Sequence, residues 1–154
     1  MTDTTIAAAA RSLVLDARWL TLATVGADGE PSTSYVPFAL VEGGFGIVVS
    51  ALAAHTGHLR SHPRVAALVV AETVPGDDPF ARPRLSIDAR AHEVSDPADA
   101  AAIWDALARR NGETATLLRT LPDFRPFVLA PIAVRAILGF GQAGDVEPAP
   151  LIRR

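Results

Sequence analysis

Three histidines stand close together near the middle of the chain. His55, His58 and His62 are spaced so that a helix would bring their imidazoles near one face. Imidazole can bind a metal ion or contact an anionic ligand. No Asp or Glu lies near this group in the sequence to complete a metal shell. We therefore expect contact with a ligand and no metal site; the alternative is a solvated helix with incidental histidines.

Serine hydroxyls and arginines offer further polar contacts. Ser32, Ser34 and Ser50 interrupt apolar stretches, and a hydroxyl can donate to a ligand oxygen. Arg82 and Arg84 precede a long extended run, and their planar guanidinium groups suit phosphate. The alternatives are edge or turn positions for the serines and surface ion pairs for the arginines. No acid–base pair for a specific reaction is evident, so the catalytic residues stay unassigned.

Other motifs narrow the chemistry. The run from Gly139 to Gly141 would let a ligand ring or another backbone approach closely, although a β-bulge is the alternative. The chain contains no cysteine, which excludes thiolate chemistry and disulfides and favours a reducing, cytoplasmic location. The local signatures of P-loop, zincin and α/β-hydrolase enzymes are absent from the sequence.

Length and charge exclude several classes of partner. The 154 residues are 49% hydrophobic and carry a net charge of −3, which suits one domain with a continuous core. The arginines are scattered among acids, so a nucleic-acid partner is not expected. The first ten residues lack the basic start of a secretory signal. No apolar run approaches the roughly 18 residues that a membrane span needs, so no membrane partner is expected and a small-molecule ligand is favoured.

Apolar periodicity and turn residues predict the elements that must position these groups. Many short strands joined by hairpin turns predict an α+β fold, a barrel or sandwich with peripheral helices. We expect a loop from Val74 to Arg84 and a tail of unassigned structure over 142–154. The predicted elements are an N-terminal helix within 1–18, capped by Thr4 or Thr5, strands over 20–25, 32–40, 45–50, 65–71, 85–94, 127–130 and 134–141, short helices over 55–62 and 114–120, and a helix opened by Asp96 and Pro97 that ends at Asn111 and Gly112.

Four segments, in their order along the chain, carry a family resemblance. They are LATVGADGEPSTSYVPF (22–38), SALAAHTGHLRSHPRVAALVV (50–70), DPFARPRLSIDARAHEV (78–94) and GFG (139–141). Together they resemble the pyridoxamine 5'-phosphate oxidase-related, FMN-binding split-barrel superfamily, and especially its haem-utilisation (HugZ-like) branch. The resemblance implies a single split β-barrel domain over 1–154 with six to seven mostly antiparallel strands, working as a homodimer with a flavin at the subunit interface.

The resemblance also implies which residues contact the cofactor. Relatives commonly have Arg and Asn where this chain has Gly57 and His58, so one cation near the phosphate is missing and FMN should be held weakly. The matched positions are Ser34, Tyr35, Val36 and Pro37 beside the isoalloxazine, Ser50, Ala51, His55 and Thr56 around the ribityl phosphate with His58 beside them, and Arg84 and Leu85 reaching the flavin from the partner subunit.

The function expected first is therefore an FMN-dependent oxidoreductase acting on a small organic substrate. The alternatives are a haem-binding or haem-degrading protein of the haem-utilisation type, and a non-catalytic flavin or deazaflavin binder. The missing C-terminal extension of many haem-utilisation relatives counts against haem. The apolar strands over 45–49 and 65–70 give a second reason to expect a homodimer, because a half-open barrel would otherwise expose them.

Overall fold

The structure is a computed structural model that describes residues 2–73 and 75–153. Met1 and Arg154, the ends of the predicted domain, and Val74, the first residue of the predicted loop, lie outside the described residues. The helices are α1 (Asp3–Asp16), α2 (Ala54–Ser61), α3 (Pro97–Asn111), α4 (Glu113–Arg119) and α5 (Pro148–Ile152), and the strands are β1 (Trp19–Val25), β2 (Pro31–Pro37), β3 (Ala39–Val41), β4 (Gly44–Ser50), β5 (Arg64–Val70), β6 (Arg84–Glu93), β7 (Phe124–Gly139) and β8 (Gln142–Val146).

The eight strands form one antiparallel sheet in the order β2-β1-β5-β6-β7-β4-β3, with β8 also paired to β7. The sheet curls so far that Cα atoms of β2 and β4 come within 8 Å of each other. These two strands nevertheless take their ladder hydrogen bonds from other neighbours. The curled sheet is therefore a barrel with a split between β2 and β4, and the predicted α+β split-barrel fold is confirmed.

Strand alternation separates the two faces of the sheet. Leu22, Ala67 and Ile87 stand opposite one another on β1, β5 and β6, and all three are buried in the core. The next residues, Ala23 and Ala66, face outward and are half-buried. The apolar stripe of α1 closes the core from the inner side of the sheet.

Strand β7 differs most from the prediction. The sequence suggested two strands separated near Pro131, but the structure has one strand of 16 residues. Asp88 pairs with Ala133 and Ala89 pairs with Pro131, so Ile132 is an extra residue in a β-bulge. A bulge is where a strand tolerates proline. The strand therefore continues through Pro131.

The predicted tail over 142–154 also has regular structure. Strand β8 pairs with the second half of β7, and α5 follows it. The guanidinium of Arg11 on α1 donates to the carbonyl oxygens of Leu151 and Arg153, which ties α5 to α1. A sequence segment rich in proline thus completes the core, because Leu151 is fully buried there.

Helix starts agree with the sequence except at the N-terminus. Asp96 caps α3 by accepting from the amides of Ala98 at 2.9 Å and Asp99 at 3.0 Å, as predicted. Thr2, rather than Thr4 or Thr5, caps α1. In the part of the chain that the structure describes, no helix is long and apolar enough to cross a membrane.

A second, smaller core joins the helices α3 and α4 to the sheet. It contains Val41 of β3, Ile103 and Leu107 of α3, and Ala115 of α4. Gly46 of β4 permits this packing, since a Cβ there would lie 2.9 Å from a methyl of Val41 and 3.2 Å from one of Ile103. The α3–α4 pair is thereby held over the outer side of β3 and β4.

Arg110, in the last turn of α3, fastens α3 to the end of α1. Its Nη2 donates to the carbonyls of Val14 at 2.7 Å and Leu15 at 2.9 Å, and also to that of Ala17. Its guanidinium lies 5.1 Å from the ring centroid of Phe38. The last carbonyls of a helix have no partner within the helix, so Arg110 satisfies groups that α1 cannot satisfy itself. Burial lowers the pKa of Arg110, and the neighbouring Arg18 lowers it further.

We predict that Arg110→Ala lowers the free energy of unfolding by about 2–3 kcal/mol, because charge-assisted hydrogen bonds to partly buried carbonyls are lost. Urea unfolding followed by circular dichroism would measure it. The control is Arg109→Ala, an exposed neighbour, which should change stability by less than about 0.5 kcal/mol. Equal losses for the two variants would show that Arg110 does not hold α3 to α1.

Candidate functional site

Two aromatic side chains form a platform on the outer side of the sheet. Trp19 begins β1 and Tyr35 lies on β2, diagonally across the strand pair. Their ring centroids are 4.7 Å apart and their planes differ by 29°, which is a stacked arrangement. Tyr35 remains 63% exposed. Strand parity alone directs both rings outward, since Leu20 and Val36 next to them are buried.

A cavity of about 480 Å³ lies between this platform and the α3–α4 pair. Its size is within the usual range of small-molecule sites, about 300–1,000 Å³. The walls are mainly apolar, with an aromatic side and an aliphatic side. The lining residues are Arg18, Trp19, Tyr35, Pro37, Val48, Glu72, Leu107, Asn111, Thr114, Ala115 and Leu118.

Asn111 lines this cavity and has an unpartnered side-chain amide. Its Nδ2 is buried and has no hydrogen-bond partner, although a side-chain amide nitrogen has two protons to donate. A buried donor without an acceptor costs about 1–3 kcal/mol. The lining of the cavity also contains one positive charge, Arg18, and one negative charge, Glu72.

The segment predicted to hold a flavin phosphate is arranged differently from that prediction. The Ser50 hydroxyl donates to Oδ2 of Asp123 at 2.7 Å, and the Thr56 hydroxyl donates to the backbone carbonyl of Ser50 at 2.6 Å. The amide of Ala51 donates to the carbonyl of Asp123 at 2.7 Å. Three expected phosphate donors are therefore engaged, and a carboxylate stands beside them.

The histidines of α2 lie at the far end of β1 from the platform. Nδ1 of His58 is 2.9 Å from the hydroxyl of Thr24, a buried threonine near the end of β1. Burial lowers the pKa of His55, and the nearby His58 lowers it further. His62 ends the helix in an exposed position. The three side chains do not form a metal centre, and within residues 2–73 and 75–153 no group of three possible ligands does.

The other predicted site residues lie in different parts of the structure. Tyr35 and Pro37 reach the cavity, whereas the side chains of Val36 and Leu85 are buried in the barrel core. Ser34 lies on the inner side of β2, and its hydroxyl is buried without a partner. Arg84 begins β6 and donates to the carbonyl of Arg82 at 3.0 Å.

Sequence reasoning missed the opposite wall of the cavity. Leu107, Asn111, Ala115 and Leu118 come from helices that were assigned to the periphery. Trp19 was missed as well, although its position just before the alternating strand LTLATV places it on the outward face. The contact between helix and sheet is a tertiary feature that no local motif encodes.

A larger concavity of about 800 Å³ lies between the start of α1 and strands β6 to β8. Asp3, Asp88, Asp145 and Glu147 make it acidic, and Arg135 is paired with Asp145 at 3.0 Å. Such a surface repels anions.

Comparison with known proteins provides an independent view of the chain. A family model described as pyridoxamine 5'-phosphate oxidase matches residues 6–138. The curated protein Heme oxygenase HutZ from Vibrio cholerae is 34% identical over 137 residues, which cover 86% of this chain and 76% of HutZ.

Two solved structures extend the comparison. The crystal structure of HutZ, described as a heme storage protein from Vibrio cholerae, has a TM-score of 0.79 and 28% identity, covering 89% of this chain and 99% of that one. A heme binding protein from Mycobacterium smegmatis has a TM-score of 0.81 and 28% identity, covering 96% of this chain and 60% of that one. These proteins share the split barrel and are described by their relation to haem.

The prediction of an FMN-dependent oxidoreductase is therefore wrong. HutZ and the Mycobacterium smegmatis protein are both named for haem, which favours the haem alternative over the flavin. At the segment that carried the flavin prediction, the hydroxyls of Ser50 and Thr56 donate to protein acceptors, and Asp123 places a carboxylate beside Ser50. A family motif identified this segment, but the motif did not include Asp123, which lies 73 residues away.

We predict that His55 makes stability depend on pH. Its pKa is lowered in the folded state, so the unfolded chain binds more protons as the pH falls below about 6.5. The free energy of unfolding should therefore be fully retained above that pH and fall below it. Denaturant unfolding between pH 5 and 8 would show a shallower decline for His55→Gln than for the wild type. His62→Gln, exposed on the same helix, is the control, and an unchanged slope for His55→Gln would contradict the prediction.

Proposed function

The chain belongs to the pyridoxamine 5'-phosphate oxidase family, and we propose that it binds haem in the cavity between β1, β2 and the α3–α4 pair. Similar proteins with the same split barrel are named for haem, which supports this ligand. The observation that carries the proposal is the cavity itself, with the stacked Trp19 and Tyr35 on one wall and the aliphatic Leu107 and Leu118 on another. The descriptions of the relatives support the same ligand.

The cavity fits the chemistry of haem. A porphyrin is large, planar and apolar, and it carries two carboxylates. Flat aromatic rings and the aliphatic side chains of Leu107 and Leu118 suit its faces. Arg18 in the lining can receive a carboxylate. The roles of these residues are to bind and orient the macrocycle and to keep water from its faces.

The larger concavity beside α1 is less suitable in spite of its volume. Its four acidic side chains would repel the carboxylates of haem, and its arginine is engaged with Asp145. The smaller cavity has one carboxylate, Glu72, and one arginine, Arg18, so its charges balance and it repels an anionic ligand less.

Oxidative opening of haem is a second candidate, favoured by the curated relative, a heme oxygenase. Bound haem would supply the redox chemistry of its iron. Molecular oxygen and an external electron donor would be required. Loss of haem absorbance when both are present, and its persistence when the donor is omitted, would distinguish this activity from binding alone.

The chain works as a homodimer in this proposal. On the outer side of the sheet, Tyr35, Thr21 and Leu68 stand opposite one another on β2, β1 and β5. Leu68 is 37% exposed, and the next row contains Ala23 and Ala66. Outward faces of solvated sheets usually carry charges, so this small, apolar surface suits a second copy. Tyr35, at one end of this proposed dimer surface, also lines the cavity.

The strands that suggested a dimer from the sequence support it through different side chains. The apolar side chains over 45–49 and 65–70 were expected to remain exposed, yet Phe45, Ile47, Val65 and Val69 are buried in the core of one chain. The side chain of β5 that supports a dimer is instead Leu68, which lies on the outward face of the strand.

We predict that Trp19→Ala weakens haem binding by at least about tenfold, equivalent to about 1.4 kcal/mol, because one wall of the cavity is removed. Absorbance titration of the full chain with ferric haem would measure it. Phe140→Ala is the control, since Phe140 is an exposed aromatic outside the cavity. Equal affinities for wild type and Trp19→Ala would exclude this cavity, and no binding by the wild type would exclude the function.

We also predict that Leu68→Glu converts a dimer into a monomer at micromolar concentration, because a charge would be buried at the interface without a partner. Light scattering after size-exclusion chromatography would give the mass. Thr116→Glu, on the exposed side of α4, should remain dimeric. A monomeric wild type would contradict the proposed assembly.

A further inference from the structure

A groove of about 390 Å³ lies between α1 and the second half of α3, beside β3. Its lining combines arginines with apolar side chains, and among the residues that the structure describes no carboxylate belongs to it. The lining residues are Arg11 and Leu15 of α1, Ala39 and Leu40 of β3, and Ala106, Arg109 and Arg110 of α3. The groove is therefore positively charged and partly apolar.

Ion pairs balance the charge of several arginines elsewhere in the molecule. Arg60, Arg119 and Arg135 each lie 2.7–3.0 Å from a carboxylate oxygen. Across the part of the chain that the structure describes, no ion pair of this kind involves an arginine of the groove. Arg11 and Arg110 instead donate to backbone carbonyls, which have no net charge. The groove thus holds positive charge that the protein does not neutralise by pairing.

The uncompensated charge is most costly at Arg110, which is partly buried. Burial lowers the pKa of its guanidinium, and Arg18 lowers it further, whereas Asp16 raises it. Its Nε is buried without a hydrogen-bond partner. The carbonyls at the end of α1 supply about half a negative charge. Because a desolvated charge costs free energy unless an opposite charge lies nearby, an anion in the groove would stabilise this arginine.

The apolar part of the groove indicates which kind of anion fits. Leu15 is 49% exposed on α1, and Leu40 is half-buried. A small inorganic anion would leave these side chains in contact with water, whereas an aliphatic tail would cover them. The volume lies at the lower end of the usual range for small-molecule sites, about 300–1,000 Å³. An amphiphilic anion therefore matches both the charge and the apolar surface.

We propose that the groove between α1 and α3 binds a carboxylate with an aliphatic tail, the chemistry of a medium-chain fatty acid. Arg109, which is exposed, receives the carboxylate, and Arg11 and Arg110 add positive potential in the groove. The tail lies along Leu15 and Leu40. The groove shares no lining residue with the cavity proposed for haem, so the inference does not depend on that proposal.

Calorimetric titration of the full chain with decanoate, below its micelle concentration, tests this inference. We expect one decanoate to bind per chain. Acetate, which has the charge without the tail, and decanol, which has the tail without the charge, should each bind at least about tenfold more weakly. Arg109→Gln removes one exposed charge and leaves the contacts of Arg11 and Arg110 intact, so it should fold normally and bind decanoate at least about fivefold more weakly.

Arg90→Gln is the matched control, since Arg90 is an exposed arginine of β6 outside the groove, and it should bind decanoate as the wild type does. Backbone amide shifts in nuclear magnetic resonance spectra should locate the ligand at residues 11–15 and 106–110. The inference is overturned if the wild type does not bind decanoate, or if decanol or Arg109→Gln matches the wild-type affinity for decanoate. Shifts centred on Trp19 and Tyr35 would also overturn it, because they would place decanoate in the other cavity.

Discussion

Strand β7 is the element on which the rest of the sheet is assembled. One of its edges pairs with β6 over residues 127–137, and its other edge pairs first with β4 and then with β8. A single strand therefore connects both halves of the curled sheet. The bulge at Ile132 lets it bend without ending. The first half of β7 links Val48 of β4 through β6 and β5 to β1 and β2, and the second half supports β8.

The curled sheet stays open between β2 and β4, and this gap positions side chains of the candidate site. Strands β2 and β4 approach each other, but each forms its ladder hydrogen bonds with other strands. The outward side chains near the split are therefore fixed by their own strands and have no neighbouring strand across the gap. Tyr35 and Val48 are two such residues, and the α3–α4 pair lies over them. The small second core around Val41 and Ile103 fixes that pair in place.

Much of the fold could be predicted from the sequence because it depends on local patterns. Strand alternation, the Asp96–Pro97 helix start and the short α2 helix are all encoded within a few residues. The continuous β7 was not predictable from Pro131 alone, because the bulge depends on pairing with β6. Two of the residues predicted for the site, Tyr35 and Pro37, line the candidate cavity, whereas Asn111 and Leu118, which line it too, come from distant helices. The carboxylate of Asp123 beside Ser50 was likewise a contact between distant segments.

Helix α4, which forms part of the cavity wall, is weakly attached to the rest of the fold. This helix has seven residues, starts at Gly112 without a side-chain cap, and buries Ala115 while Leu117 stays exposed. Its ion pair from Arg119 to Asp105 is exposed to solvent and adds little free energy. Local opening of α4 therefore costs less than opening the barrel, and amide hydrogen exchange should be faster there than in β1. Since Thr114 and Leu118 belong to the cavity wall, a brief fluctuation of this one short helix would widen the cavity while the sheet stays intact.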